Sequence, residues 1–209
     1  MKNDHDWEFS CPVCGSPLDK IDKNEQRCPQ DGRVYTRINN IWHFLPPERE
    51  LVYKQFVREY ERVRQHEGRG DDSDAYYQAL PFQDLSGTMA EMWEIRALSF
   101  QLLLDKIIVP LENDSLKNGR FLKIIDMGAG NGWLSHQLAK RGHHLAAIDL
   151  TINTFDGLGA HTHYDTPFLP IQAEFDNIPL ASGQADLLLF NASFHYAQNY
   201  QTTIQEGWR

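Results

Sequence analysis

The chain has 209 residues, of which 41% are hydrophobic and 23% charged, a composition typical of a globular protein rather than a disordered one. Its formal net charge of −9 at pH 7 argues against a broad phosphate-binding surface, although a local basic patch would be compatible with it. The polar start indicates no signal peptide, and the most apolar predicted helix, over 97–111, contains Asp105, Lys106 and Pro110, which excludes a membrane span. The three cysteines show no disulfide pattern, so we expect a reducing cytoplasm.

The first 46 residues contain two short turns that each begin with cysteine and end with glycine, a spacing typical of zinc knuckles. The candidate metal ligands are Cys11, Cys14, Cys28 and Asp31. Aspartate is an uncommon fourth ligand, and His43 and His5 are alternatives that fit the spacing less well. A degenerate ribbon that folds without metal is a further alternative. The charges of this segment are near balance, so it shows no nucleic-acid footprint.

A helical region follows, and its aromatic residues are the first candidates for a pocket. The apolar spacing predicts helices over 48–67, 75–80 and 88–109, with a turn at 81–87 and a polar linker at 113–120. Aromatic residues at helical spacing usually belong to a hydrophobic core. A core position is therefore the alternative to a pocket-lining position for each aromatic residue of this region.

The stretch from Phe121 to Asp149 organises the rest of the chain. An apolar run ends in Asp126 and predicts a buried parallel strand, and a helix pattern follows that ends near Gly142. A second apolar run, 145–148, ends in Asp149. Between the first strand and the helix lie three glycines at alternate positions: Gly128, Gly130 and Gly132.

These residues predict a nucleoside-binding half of a doubly wound sheet. Glycines let a ligand approach the backbone, N–H groups at the helix start face it, and an acid about 20 residues on suits a ribose diol. A dinucleotide fingerprint would place a third glycine where Trp133 stands, which disfavours a nicotinamide oxidoreductase. The observed Asp126-Met-Gly-Ala-Gly-Asn-Gly132 instead resembles motif I of the class I S-adenosylmethionine-dependent methyltransferases.

The resemblance extends over 121–209 and implies further site residues. Asp149 is similar to the ribose-binding acid of that family. In the segment 174–179, Glu174 would accept a hydrogen bond from the adenine amino group, with Asp176 as the alternative, and the Phe175 N–H would meet the ring. The segment after the fourth strand implies Asn191 as a cofactor-binding and positioning residue, and His195 as a base or orienting group.

The resemblance also covers the N-terminal half. The stretch 11–46 is similar to the zinc-ribbon domain of bacterial ribosomal-RNA guanine methyltransferases, and to an activator subunit of some tRNA and protein methyltransferases. Helices before motif I build the substrate pocket in the family, which implies that candidates line it here. These candidates are Tyr76, Tyr77, Trp93 and Arg96. A metal site at His161, His163 and Asp165 is a weaker hypothesis than a solvated loop.

The expected fold class is α/β: a Rossmann-like doubly wound sheet preceded by helices and a small zinc-ribbon-like β module. The sheet would be C-terminally incomplete, with four of the seven strands usual in the family, and the exposed fourth strand would favour self-association. We expect three segments: a ribbon-like module at 1–46, a helical cap and linker at 47–119, and a methyltransferase core at 120–209.

The expected function is methyl transfer from S-adenosylmethionine to an unidentified acceptor, with zinc as a second candidate cofactor. The module's resemblance favours RNA as acceptor, whereas the acidic charge favours a small molecule. The alternative is a non-catalytic protein that binds S-adenosylmethionine or a partner through a degenerate methyltransferase fold.

Overall fold

The computed structural model describes residues 7–116 and 119–209, and these form one continuous eight-stranded sheet with helices. The strands are β1 (Asp19–Lys20), β2 (Glu25–Arg27), β3 (Val34–Ile38), β4 (Ile41–His43), β5 (Lys123–Met127), β6 (His144–Asp149), β7 (Leu169–Gln172) and β8 (Leu187–Leu189). The α-helices are α1 (Pro47–His66), α2 (Asp74–Ala79), α3 (Ala90–Leu103), α4 (Val109–Leu116), α5 (Trp133–Ala139) and α6 (Tyr200–Trp208).

The strand order is β1-β2-β3-β4-β7-β6-β5-β8. The last four strands of that order are parallel to one another, as expected for a doubly wound sheet. Ile124 faces one hydrophobic cluster and Ile125 the other, so both faces of β5 are buried, as expected for an inner strand of a parallel sheet. The α/β fold class predicted from the sequence is confirmed.

The N-terminal hairpin extends the same sheet rather than standing apart from it. Strand β4 pairs in parallel with β7, with Trp42 opposite Ile171 and His43 opposite Gln172, and the Phe44 N–H donates to the Gln172 carbonyl over 2.9 Å. An isolated bridge joins Phe9 to Leu180. The edge that β7 would otherwise leave exposed is therefore paired within the chain.

One face of the sheet packs against α2, α3 and α5, and the other is covered largely by aromatic side chains of the N-terminal segment. The rings of Phe9 and Trp42 lie 5.2 Å apart, those of Phe9 and Phe44 5.1 Å apart, and those of Tyr35 and Phe44 5.0 Å apart. Together with Trp7, they cover the side of β5, β6 and β7 that carries Ile125, Ile148 and Ile171.

The helix predicted over 88–109 is longer and less regular than expected. It runs through α3, a π-helical segment (Leu104–Ile108) and α4, so the first half of the predicted linker at 113–120 is helical, as far as Leu116. The π-helical segment ends two residues before Pro110, whose nitrogen cannot donate a hydrogen bond to the preceding turn.

Strand β8 lies at one end of the sheet and, within the described residues, pairs only with β5. Its three leucines are half-buried. The self-association expected from this edge stays a prediction. None of the helices in the described ranges is long and apolar enough to cross a membrane.

Candidate functional site

A cavity of about 240 Å³ opens at the carboxyl ends of the parallel strands, where doubly wound sheets bind ligands. Its floor is the loop after β5 together with the segments after β6, β7 and β8. Helix α1 lies across it and contributes Tyr53, Phe56, Tyr60 and Arg64 to the wall.

Two of the three motif glycines are required by neighbouring parts of the protein. Gly128 has φ of +73°, and a Cβ there would lie 2.4 Å from the Ser193 Cβ. Gly132 has φ of +83°, and a Cβ would lie 2.4 Å from the Phe168 ring. Only Gly130 faces mostly open space, with the Asp156 carbonyl at 3.5 Å. The glycine spacing thus allows this loop to pack closely against the segments after β8 and before β7.

The backbone donors of the loop are largely used within the protein. The N–H groups of Gly128 and Ala129 both donate to the Ile148 carbonyl, over 2.7 and 3.1 Å. The Gly130 N–H donates to Asp149 Oδ2 over 2.8 Å. Asp149 Oδ1 accepts from the Thr151 N–H and hydroxyl, so Asp149 joins the end of β6 to the glycine loop in one hydrogen-bonded unit.

Trp133 occupies the position where a dinucleotide fingerprint would have glycine. It is the first residue of α5, and its ring packs edge-on against Trp93 at 6.0 Å and Phe100 at 5.7 Å, both from α3. The large side chain thereby anchors α3 beside the cavity, which accounts for its presence where a dinucleotide site could not tolerate it.

Asp126 is fully buried at the end of β5, and its Oδ2 accepts from the Ser135 hydroxyl over 2.9 Å. Burial raises the pKa of Asp126 to about 7, and the nearby charge of Asp149 adds to the shift. Burial also raises the pKa of Asp149. Two carboxyl groups at the ends of adjacent strands therefore favour a cationic group between or beside them.

Glu174, which was expected to accept from an adenine amino group, is already surrounded by donors. Arg49 Nε lies 3.0 Å from both carboxylate oxygens, and Tyr53 Oη donates to Oε2 over 2.7 Å. Asn177 Nδ2 donates to Oε1 over 3.1 Å. A carboxylate offers about four lone-pair sites. These contacts occupy them and attach α1 to the segment after β7.

Asp176 has more acceptor capacity left. It lines the cavity, and its Oδ1 accepts from the Thr203 hydroxyl of α6. Phe175 is half-buried and lines the same part of the cavity, with its ring edge-on to Phe190 at 5.4 Å.

The segment after β8 brings one of its two predicted residues into the cavity. Asn191 lines the cavity, next to Ala192, whose φ of +56° turns the chain, and the Ser193 hydroxyl donates to the Met127 carbonyl. His195 is exposed and lies against the Tyr196 ring at 4.0 Å, while Tyr196 itself lines the cavity. The geometry therefore lends no support to His195 as a base.

The four pocket candidates of the helical region separate into two pairs. Trp93 and Arg96 line the cavity, whereas Tyr76 and Tyr77 are buried in the core. The Tyr77 hydroxyl donates to the Phe155 carbonyl over 2.8 Å. The Tyr77 ring stacks on the His163 ring at 4.5 Å, and His163 also pairs with Asp74. His163 therefore has structural partners, and it does not belong to the group of candidate metal ligands that the structure brings together.

Several cavity residues were not anticipated as functional. These are Tyr60, Arg64, Arg69, Asp156 and Tyr196. Arg64 Nε lies 3.6 Å from Asp156 Oδ2, and burial raises the pKa of Asp156 to about 6 despite Arg64 and Arg69. The apolar spacing predicted the helix that carries Tyr60 and Arg64, and no local signal joins that helix to the loop of Asp156 some 90 residues later.

The four predicted metal ligands meet in space. One ligand atom each from Cys11, Cys14, Cys28 and Asp31 lies within 4.8 Å of the others. The Val13 N–H donates to the Cys11 sulfur and the Asp31 N–H donates to the Cys28 sulfur, each over 3.4 Å. His43 is not in this group, and burial lowers its pKa although a hydrogen bond with the Gln172 side chain opposes the shift. His5 lies outside the described residues.

A family model described as "Methyltransferase domain" matches residues 125–209. This segment is similar to a methyltransferase domain. It contains the glycine loop, Asp149, Glu174, Asp176 and Asn191, all of which line the cavity described above. The family match does not extend to the first 124 residues, which include the cysteine cluster.

Two curated relatives are similar to part of the chain. A malonyl-[acyl-carrier protein] O-methyltransferase of Enterobacter lignolyticus is 31% identical over 93 residues, covering 43% of this chain and 35% of the relative. A ubiquinone biosynthesis O-methyltransferase of Colwellia psychrerythraea is 34% identical over 83 residues, covering 38% and 34%. The chain therefore matches only about a third of the length of either relative.

Two solved structures are also similar. One is a candidate methyltransferase from an antibiotic biosynthesis pathway of Anabaena variabilis, with 19% identity and a TM-score of 0.34, covering 42% of this chain and 34% of that one. The other is a candidate S-adenosylmethionine-dependent methyltransferase of Methanococcus maripaludis, with 23% identity and a TM-score of 0.36, covering 54% and 56%. Both scores are too low to support an argument about this chain.

Replacing Arg49 by methionine should destabilise the fold, because Glu174, whose side chain is 5% exposed, would keep a buried charge with fewer donors. We expect a loss of about 2–3 kcal/mol in the free energy of unfolding, below the usual range because the Arg49 side chain is a third exposed. Urea unfolding measures it. The matched control is Arg27→Met, which removes an exposed pair at 3.8 Å and should cost under about 0.5 kcal/mol. Equal losses in the two variants would contradict the account.

The raised pKa of Asp126 makes the ligand-free protein less stable as pH rises. The folded state holds the proton up to about pH 7, whereas the unfolded chain releases it near pH 4, so stability is lost between those values. Asp126→Asn keeps an acceptor for Ser135 and has no charge. We expect wild type to lose stability relative to this variant from about pH 4 to about pH 7, and the two to run parallel above that. Denaturant unfolding at several pH values would show parallel curves throughout if the shift were absent.

Proposed function

We propose that this protein is an S-adenosylmethionine-dependent methyltransferase whose acceptor is a small molecule methylated on oxygen. The observation that carries the proposal is the cavity at the ends of β5 and β6, in which the glycine loop and Asp149 form one hydrogen-bonded unit. The methyltransferase-domain match over the same residues supports it.

The residues present fit this cofactor at three points. Asp149 Oδ2 accepts only one hydrogen bond within the described chain, which leaves it able to accept a ribose hydroxyl. The buried carboxyl of Asp126 suits a primary ammonium group. Gly130 leaves open space where the middle of a ligand would pass.

At the adenine end we propose Asp176 rather than Glu174 as the acceptor for the amino group. Glu174 already accepts from Arg49, Tyr53 and Asn177, whereas Asp176 accepts only from Thr203. Glu174 would instead position α1 over the cofactor. The Phe175 N–H remains the proposed backbone contact with the ring.

When bound, S-adenosylmethionine supplies a methyl group on a positively charged sulfur, ready for in-line displacement. The contribution of the chain is to hold the acceptor in line and to exclude water. Asn191 lines the cavity after β8 and is the proposed orienting residue, and the aromatic rings of Phe56, Tyr60 and Tyr196 close the side formed by α1. His195 has no contact with the cavity, so we assign it no step.

An oxygen acceptor is favoured because both curated relatives are named as O-methyltransferases. A small molecule is favoured over RNA because the net charge is −9. The resemblance of the N-terminal segment to a ribosomal-RNA methyltransferase module is the argument for RNA, which an acceptor screen should include.

The second candidate function is binding without turnover. It is favoured by the exposure of His195, which leaves the cavity without the general base expected from the sequence. Cofactor binding with no methyl transfer to any acceptor would support it.

We also propose a structural zinc ion held by Cys11, Cys14, Cys28 and Asp31. The supporting observation is the convergence of their ligand atoms within 4.8 Å, in a segment whose aromatic side chains cover the sheet. Residence in the cytoplasm is part of the same proposal, since it would keep these thiols reduced.

Isothermal titration with S-adenosylhomocysteine tests the cofactor site. Wild type should bind, and Asp149→Ala should lose at least about tenfold in affinity, because a hydrogen bond to a charged group is lost. The control is Asp165→Ala, whose side chain is 64% exposed and should leave affinity unchanged. A folded wild-type sample that does not bind would overturn the proposed function.

Metal analysis of protein purified with zinc present tests the second site. We expect about one zinc per chain, lost in Cys14→Ser, whose thiol is exposed and whose loss spares the core. Asp31→Asn should weaken binding, and Asp31→Cys should retain zinc at least as well as wild type, because thiolate is the commoner ligand. Wild type without zinc, under conditions in which its fold is intact, would exclude the site.

A further inference from the structure

Helix α3 is apolar on two opposite sides. Trp93 and Phe100 are buried in the hydrophobic cluster between the helix and the sheet. Ile95, Leu98 and Leu102 lie on the outer side, and each is more than half exposed. Their spacing of three and four residues places them on one face, where they form an outer stripe. A helix that is apolar all round normally has both sides covered, and an aligned stripe differs in this from single exposed residues.

The outer stripe carries a charge of opposite sign at each end. Glu91 lies four residues before Ile95, and Lys106 lies four residues after Leu102. Ile108 is fully buried two residues beyond Lys106, which agrees with an outward direction of the lysine within the π-helical segment. Both charged side chains are exposed, and neither has an ion-pair partner in the part of the chain that the structure describes.

Two copies of this helix face are complementary to each other when the helices run antiparallel. A two-fold axis just after Leu98 would place Ile95 of one copy opposite Leu102 of the other, because the two residues are equally far from the axis along the helix. The same axis would place Glu91 opposite Lys106. Since a two-fold contact occurs twice, apolar pairs would fill the centre and an ion pair would close each end.

The polar groups beside the stripe have partners within the helix or lie where water would reach them. The Ser99 hydroxyl donates to the Ile95 carbonyl over 2.9 Å, so it can be covered without losing a partner. Gln101 Nε2 donates to Asp105 Oδ1 over 2.9 Å. Asp105 and Glu94 flank the stripe and would remain at the wet rim of a contact, where water and salt screen their repulsion.

We propose that the outer face of α3 binds a second copy of this chain as an antiparallel helix pair related by a two-fold axis. This surface differs from the edge of β8, and the proposal is independent of cofactor binding, since Trp93 and Arg96, which line the cavity, are not part of the stripe. One helix pair is a small interface and the net charge is −9, so we expect a dissociation constant on the order of 10–100 µM.

Sedimentation equilibrium at protein concentrations from about 5 to about 300 µM measures the association. Wild type should pass from monomer to dimer within this range. Leu98→Glu should remain monomeric throughout, because it places two like charges at the centre of an apolar contact. The matched control is Leu51→Glu, which changes a more exposed leucine on α1 and should associate as wild type does. Urea unfolding verifies that each variant is folded.

A charge exchange tests the two-fold arrangement itself. Glu91→Lys would leave two lysines facing each other at both ends, and Lys106→Glu would leave two acids there. Each variant alone should associate at least about tenfold more weakly than wild type. An equimolar mixture of the two variants should regain the wild-type affinity, because every end then joins opposite charges. The chain that carries both changes should regain it as well.

Three results would overturn the proposal. The first is wild type that stays monomeric up to about 300 µM. The second is association that Leu98→Glu leaves unchanged, which would indicate another surface such as the edge of β8. The third is association that Leu98→Glu abolishes but that shows no recovery in the mixture of charge variants, because Glu91 and Lys106 would then not meet. None of these results bears on the cofactor site, which titration with S-adenosylhomocysteine tests separately.

Discussion

The parallel pairing of β4 with β7 is the contact on which the rest of the arrangement depends. It attaches the N-terminal hairpin to the sheet, so the segment after β7 is held by Phe44 on one side and by the Phe9–Leu180 bridge on the other. Helix α1 begins a few residues beyond β4, so the same pairing determines where α1 lies. The cysteine cluster, the sheet and the cavity are consequently parts of one structure.

The cavity wall depends on buried charges whose partners come from distant segments. Arg49 and Tyr53 on α1 satisfy Glu174, and Arg64 lies close to Asp156. Each contact joins α1 to a loop at the carboxyl edge of the sheet. Because a buried carboxylate without donors is costly, these pairs favour one position of α1 over others. The same reasoning makes Arg96 conspicuous, since it is the cavity guanidinium that no oxygen of the described chain satisfies.

The glycines of the loop after β5 allow close packing against other segments of the same chain, a role that the motif itself does not indicate. The spacing indicates close approach to the backbone, and close approach is observed, but at Gly128 and Gly132 the neighbours are Ser193 and Phe168 of the same chain. The loop is thus shaped by packing as much as by a ligand. Trp133 has a comparable role, because its bulk excludes a dinucleotide geometry and supports α3.

Local patterns in the sequence determined much of the fold and part of the site. Apolar runs that end in Asp126 and Asp149, with glycines between them, specify parallel strands and a loop at their carboxyl ends, because strand burial and glycine geometry are local properties. The cysteine spacing likewise specifies two turns that bring Cys11, Cys14, Cys28 and Asp31 together.

The tertiary structure alone decided which side chains share the cavity and which are satisfied elsewhere. The Glu174 carboxylate accepts hydrogen bonds from Arg49, more than a hundred residues away in the sequence, instead of being free for a ligand as expected. His195 is exposed to solvent, whereas its neighbour Tyr196 lines the cavity. The pairing of β4 with β7 could not be predicted from the sequence either, because contacts between distant segments depend on the packing of the whole chain. Neither the hydrophobic periodicity nor any motif within one of these strands indicates which strand it pairs with.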